Sequence, residues 1–438
     1  MLVPHQFMPR PYQLPVLQAL DRGAKRVVMV WHRRAGKAKV CLNHTIKSMV
    51  QRVGTYYYFF PTYAQAKKAI WDGRDGNGFA FLDHFPHQLV KAKNTTDLQI
   101  KLHNGSIFQL VGTDNIDSVM STNPIGCVFD EYSLQDPRGW EYVRPILREN
   151  GGWAIFAFTP RGRNHGYDMY HMAEALMKDK DKSWFAQRLT IDDTNVLTAA
   201  DIEAERREGM DEDLIAQEFY CAWSGVQQGT YYAKQMERAE DDGRICRVPY
   251  QAEISVDTWW DLGVGDATSI WFTQTVGREI HVIDYYEQSG EGLPHYAKVL
   301  QDRGYVYGKH NAPHDIRVRE LGSGKSRLET AEGLGIRFDI VPSISLEDGI
   351  DASRAFIARC WFDRDKTERG RNALVTYHKS WDEKRKVFSS SPYHDWSSHG
   401  SDAFRYLAVG HKVTSMKQAI AMRPVYNLGF SGQSWMAT

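Results

Sequence analysis

Val27-Val28-Met29-Val30-Trp31-His32-Arg33-Arg34-Ala35-Gly36-Lys37 is an apolar, β-branched run that breaks into a basic loop containing glycine. Apolar segments of this kind are strands buried on both faces of a parallel sheet. Strand, loop, Gly-Lys and helix in that order make the layout of a phosphate-binding loop. Backbone N–H groups and the helix N-terminus face an anion, Gly36 lets the backbone approach closely, and Lys37 adds a point charge. The match to GxxxxGK[ST] is incomplete, with Trp31 at the first Gly and Ala38 at the Ser/Thr that would hold Mg2+. Alone, the segment reads equally well as a basic turn between a strand and a helix.

A second apolar run, Ile125-Gly126-Cys127-Val128-Phe129, ends in Asp130-Glu131. An aspartate at the edge of an NTPase sheet holds Mg2+, and a glutamate beside it polarises the attacking water. Asp-Glu after a strand is also a common helix-start turn. What lends weight is its pairing with the first motif, on what could be a neighbouring strand. A third run, Ala154-Ile155-Phe156-Ala157-Phe158, leads into Thr159-Pro160-Arg161-Gly162, which places a hydroxyl and a basic loop where a terminal phosphate would be sensed. Ahead of the first strand, Pro11-Tyr12-Gln13 opens a helix. Gln13 can read an adenine edge, and Tyr12 can stack on it.

Strands are expected at 26–30, 55–60, 106–111, 125–129 and 153–159, with helices at 63–71 and 140–148 between them. This alternation predicts a doubly wound α/β domain over 1–195. Residues 196–245 turn polar and helix-prone, as in a small linker subdomain. Strand patterns at 255–262, 269–274 and 280–286 then open a mixed α+β domain over 246–412. A tail over 413–438, where periodicity fades, is expected to be flexible.

In that second domain Asp261 closes a strand before a Gly-rich turn, Asp315 follows a middle strand, and Asp402 lies in the first turn of a late helix. Asp402 alone reads as compensation of a helix dipole. Three carboxylates converging from separate elements are what two-metal phosphodiester cleavage requires, and this is the arrangement of RNase H/RuvC-like nucleases. Asp266, Asp395 and His399 are candidates for support or as a fourth ligand.

Bulk composition narrows the setting. Lys+Arg and Asp+Glu both number 54, so any basic surface for nucleic acid must be local. Basic residues gather at Arg161-Gly162-Arg163, over 317–327 and at Lys384-Arg385-Lys386. The five scattered cysteines have neither CxxC nor zinc spacing, which argues for reduced thiols. No secretory signal and no membrane-length apolar run is expected.

With these motifs in order, the chain resembles the large terminase subunit of tailed double-stranded DNA bacteriophages. The resemblance runs from Arg10 to His411 and also uses Gln228-Gly229-Thr230-Tyr231-Tyr232, Asp261-Leu262-Gly263-Val264-Gly265-Asp266 and 394–403. It implies an ASCE-type P-loop ATPase joined through a helical linker to an RNase H-like nuclease. Lys37 would grip ATP phosphates, with Arg33 or Arg34 assisting and Ala35 and Ala38 completing the loop. Asp130 would hold Mg2+, Glu131 would be catalytic, and Thr159 would couple hydrolysis to movement. Asp261, Asp315 and Asp402 would hold two Mg2+ or Mn2+ ions. Arg138, Arg144 and Arg148 are candidates to complete a neighbour's site in a ring homo-oligomer, a pentamer by the same resemblance. Double-stranded DNA, the portal protein and the small terminase subunit are the implied partners, and the host cytoplasm the implied location. Relatives carry a polar or acidic residue after the lysine, so Ala38 departs from the pattern and is expected to weaken turnover more than binding. Two other readings remain. One is an ATPase-silent assembly module; the other is a repair helicase-nuclease, for which no second motor domain is visible.

Overall fold

The computed structural model describes residues 7–119, 121–223, 229–263, 267–318, 326–382 and 387–421. The chain forms two compact units. The first comprises Met1–Arg238 with Arg371–Ser398, and the second Ala239–Gly370 with His399–Thr438. Val264, Gly265, Asp266, Gln228 and Lys384-Arg385-Lys386 lie outside the described residues, as do most of the 317–327 basic run and everything after Ala421.

Eight strands build the main sheet of the first unit: β1 (Arg26–Trp31), β2 (Thr55–Phe60), β3 (Val90–Asn94), β4 (Gln99–Leu102), β5 (Ile107–Gly112), β6 (Pro124–Asp130), β7 (Trp153–Phe158) and β8 (Trp184–Leu189). They form one sheet in the order β3-β4-β5-β2-β6-β7-β1-β8. Pairing is parallel from β5 to β8 and antiparallel through β3, β4 and β5. Every residue of β1 and β6 is buried. On one face Val27, Met29 and Trp31 join the core with helices α1 (Leu14–Asp21) and α2 (Lys37–Gln51). On the other, Val28 and Val30 pack with Trp140, Val143, Leu147 and Tyr170. Covering both faces is why these strands read as unbroken apolar runs. The outermost strand, β3, is exposed except at Val90, and its Lys91 and Lys93 discourage further edge pairing.

One expectation is corrected here. The strand of the phosphate loop and the Asp130-Glu131 strand are not neighbours, because β7 pairs with both and lies between them. Strand pairing within a parallel sheet depends on crossover topology, which local sequence does not encode.

The second unit holds β9 (Ile245–Cys246), β10 (Val256–Asp261), β11 (Ala267–Val276), β12 (Glu279–Ser289), β13 (Tyr307–Ala312), β14 (Phe338–Ile340) and β15 (Cys360–Asp363), ordered β14-β13-β10-β11-β12-β15-β9. The β10-β11-β12 meander is antiparallel, whereas β13 runs parallel to β10 and β14 parallel to β13. β10 therefore pairs with an antiparallel neighbour on one side and a parallel one on the other. The hairpin β16 (Lys379–Asp382) and β17 (Val387–Pro392) falls in the first unit. The last helix, Trp396–Ala421, continues beyond His411, where the sequence periodicity fades. Among the described residues no helix is long and apolar enough to cross a membrane. All five cysteines are free thiols.

Candidate functional site

The carboxyl ends of β1, β7 and β6 open on one edge of the first sheet, and each hands a different group to it. After β1 the chain turns through Arg34 and Gly36, both in left-handed backbone (φ 72° and 84°), and Gly36 caps α2. A Cβ on Gly36 would sit 2.8 Å from Gln13 Nε2. The torsion favours glycine, and a larger residue would displace the Gln13 amide. Gln13 braces the loop: its Nε2 donates to Ala35 O at 3.0 Å, while its Oε1 accepts from Arg10 N at 3.0 Å. Tyr12 Oη donates to the same Ala35 carbonyl at 3.1 Å. His32 is buried behind the loop. Its Nδ1 donates to Arg33 O at 2.5 Å, so Nε2 accepts from the Thr194 hydroxyl at 2.7 Å. Burial lowers its pKa, in keeping with a neutral ring.

Lys37 Nζ donates to Trp31 O at 2.9 Å and to Thr159 Oγ1 at 2.9 Å. Lys37 and Thr159, distant in sequence, are therefore in direct contact. At the end of β6, Asp130 Oδ2 accepts from the buried Tyr58 hydroxyl at 2.7 Å, and Oδ1 accepts from Glu131 N at 3.1 Å. Burial, and then the Glu131 charge, push the Asp130 carboxyl up to about 6. Glu131 adopts left-handed backbone (φ 56°), and its Oε2 is buried without a partner. A non-glycine residue held there costs on the order of 1–3 kcal/mol, a strain that gathers at functional sites. A desolvated carboxylate beside an unpartnered carboxyl oxygen is a donor set that fits a hard divalent cation. Ala38 adds no oxygen to it.

Arg33 Nη1 lies 3.7 Å from Glu218 Oε2, and Arg34 is exposed. Of the trans-arginine candidates, Arg138 is bound to Asp136 through Nε at 2.9 Å and Nη2 at 2.7 Å, whereas Arg144 and Arg148 are exposed. Sequence reading missed Tyr58 and Glu218. Neither lies in a motif, and each reaches the site from a separate element.

In the second unit Asp261 ends β10 and is partly buried, with Oδ2 3.4 Å from His399 Nδ1. Burial raises its pKa, the His399 hydrogen bond opposes this, and the charges of Asp402 and Asp315 raise it further. Asp402 and Asp315 are thus each near enough for their charge to act on Asp261. The three aspartates do not yet meet as ligands, since among the described residues no three His, Cys, Asp or Glu side chains converge on a metal-sized point. Asp402 Oδ1 is turned to Arg405 Nη2 at 2.9 Å. Asp315 sits on the short 3-10 turn His314–Arg317 and is exposed. Carboxylate oxygens are the donors that Mg2+ or Mn2+ takes, so the residue types suit such an ion. Asp395, a candidate for support, is occupied as a cap: its Oδ1 accepts from Ser397 N at 2.9 Å. Tyr406, not singled out from sequence, has its phenol pushed up by burial and then by Asp261, with Asp402 and Asp315 adding to it. Its spacing from His399 and Asp402, at i+7 and i+4, was the available signal.

No family model matches the chain. The large terminase subunit of Escherichia phage T5 is 23% identical to it over 342 residues, covering 72% of each protein. Among solved structures, the bacteriophage HK97 large terminase is 10% identical with a TM-score of 0.43, covering 92% of this chain and 95% of that one. The Thermus phage P74-26 large terminase ATPase domain is 17% identical with a TM-score of 0.41, covering 51% and 100%. By sequence, over most of its length, the chain is similar to the large terminase subunit of Escherichia phage T5.

Proposed function

We propose that this chain is a viral DNA-packaging motor subunit that hydrolyses ATP to drive double-stranded DNA into a procapsid and cuts it at a separate metal-dependent site. The observation that carries the reading is the shared sheet edge where Lys37 touches Thr159 and Asp130-Glu131 closes the adjacent strand. Ligands of α/β sheets bind in that crevice beyond the carboxyl ends of the strands. Lys37 leaves its resting carbonyl and threonine partners to bind nucleotide phosphates, and Arg33 or Arg34 reaches the same anion. Asp130 would hold Mg2+, which neutralises phosphate charge when bound. Glu131, with its unpartnered Oε2, orients the attacking water and accepts its proton. Thr159, released by Lys37, registers the change. Asp261, Asp315 and Asp402 would hold the cutting-site ions, and His399 orients Asp261. The portal protein, the small terminase subunit and further copies of the chain in a ring are the proposed partners, in the host cytoplasm.

The purified chain is expected to hydrolyse ATP with Mg2+, faster with double-stranded DNA present, and to nick or linearise plasmid with Mn2+ or Mg2+. Nucleotide binding without turnover, with or without DNA, would instead support the silent assembly module. Ala38 is the residue that favours that second reading. Replacing it with Ser, Thr or Asp is expected to raise turnover severalfold with little change in nucleotide affinity. Turnover unchanged from the parent in all three variants would remove Ala38 as the limiting feature.

A further inference from the structure

One carboxylate behind the phosphate loop takes no part in the proposed chemistry. Glu218 lies in the helix Glu212–Tyr220 and is only 4% exposed. Arg161, in the loop that follows Thr159, closes an ion pair on its Oε1. Arg33, from the phosphate loop, lies 3.7 Å from Oε2. The backbone joins in as well, since Arg33 N donates to Glu218 O at 2.8 Å. Burial alone would raise the Glu218 carboxyl, but the two guanidinium groups outweigh it and hold the pKa low, so the group is charged. The two arginines are not equally committed. The Arg161 side chain is 15% exposed and in hydrogen-bond contact, whereas that of Arg33 is 67% exposed and at ion-pair distance only.

We propose that Glu218 is a positioning residue: the counter-carboxylate that holds Arg33 and Arg161 beside the phosphate loop and passes loop occupancy to the helix Glu212–Tyr220. A polyphosphate carries more charge than one carboxylate and binds arginine through paired donors. It therefore draws Arg33 away and leaves Glu218 with Arg161 alone. The buried carboxylate loses part of its charge compensation, which is unfavourable in a desolvated site, and the helix that carries it loosens. The bland alternative is a static ion pair that only fastens the helix to the sheet edge. Such a pair would not respond to nucleotide.

This inference rests on the reading of Lys37 and its loop as a nucleotide site, and hydrogen exchange on the full chain separates the two. Peptides spanning 212–220 are followed with and without a slowly hydrolysed ATP analogue and Mg2+, each variant at its own saturating concentration. In the unaltered protein the analogue is expected to speed exchange there at least twofold. Arg33→Gln is expected to remove that response, and Arg33→Lys to restore part of it. Glu218→Gln is expected to exchange fast in both states. Should Glu218→Gln fail to fold, Arg33→Gln carries the test, because Arg161 still compensates the carboxylate. An Arg33→Gln protein with the full response overturns the proposal, as does an unaltered protein that binds the analogue without change at 212–220. An unaltered protein that binds no analogue overturns the nucleotide reading, and this inference with it.

Discussion

Asp130→Asn is expected to abolish ATP turnover and, at pH 8, to raise the melting temperature of the nucleotide-free protein. Both effects come from the same desolvated carboxylate. Its pKa is raised by burial and then by Glu131 to about 6, above the ordinary value of 3.8. A carboxyl whose folded pKa is raised favours the fold while protonated, so that contribution is complete below the ordinary value and is lost as pH rises through about 6. At pH 8 the ionised group opposes folding by on the order of 1–3 kcal/mol, from the shift at 1.36 kcal/mol per unit. Asparagine removes the charge, and its carbonyl still accepts from the Tyr58 hydroxyl that now donates to Asp130 at 2.7 Å. The advantage of the variant should shrink towards pH 4. Catalysis moves the other way, because a neutral amide is a poor ligand for a hard divalent cation. Turnover should fall by about a hundredfold or more, with the several kcal/mol that a metal ion supplies to phosphoryl transfer. Thermal melts across pH 4–8 beside a phosphate-release assay check both halves. A variant with undiminished turnover, or one less stable than the parent at pH 8, sinks the assignment.

Asp261→Asn should eliminate plasmid cleavage in Mn2+ or Mg2+, by on the order of a thousandfold, while leaving ATP turnover unchanged. Asp261 is partly buried at the end of β10, and the charges of Asp402 and Asp315 act on it. It is the carboxylate whose desolvation a divalent ion would relieve most. Asp402→Asn should give a similar loss, although Arg405 already compensates part of the Asp402 charge. Because burial raises the Asp261 pKa, cleavage should also decline towards acid pH sooner than an exposed aspartate would impose. Gel assays of supercoiled plasmid over pH 5–8, with metal titrated in each variant, check both statements. Cleavage retained by both variants would mean that other carboxylates hold the ions.

Particular residues mark how much was legible in advance. Lys37, Asp130 and Thr159 each end or follow an apolar run, so period and termination alone placed them at strand ends. The β10-β11-β12 meander was likewise visible as three strand patterns with turns between. By contrast, β3, β4 and β8 escaped notice. The first two are short, with solvent-facing lysines and polar residues that blur the strand pattern; β8 keeps only Ala186 and Leu189 buried.

The sequence by itself determined which chemistries the chain carries. A basic glycine loop, paired carboxylates and three separated aspartates are local signatures, set by what phosphate and divalent cations require of single residues. Tertiary structure alone decided which groups meet. It put β7 between β1 and β6, set Lys37 against Thr159, and brought Tyr58 to Asp130 and Glu218 to Arg33 and Arg161. The physical reason is that strand order and the docking of a distant helix follow from crossover topology and from burial summed over the whole core. No window of neighbouring residues contains either.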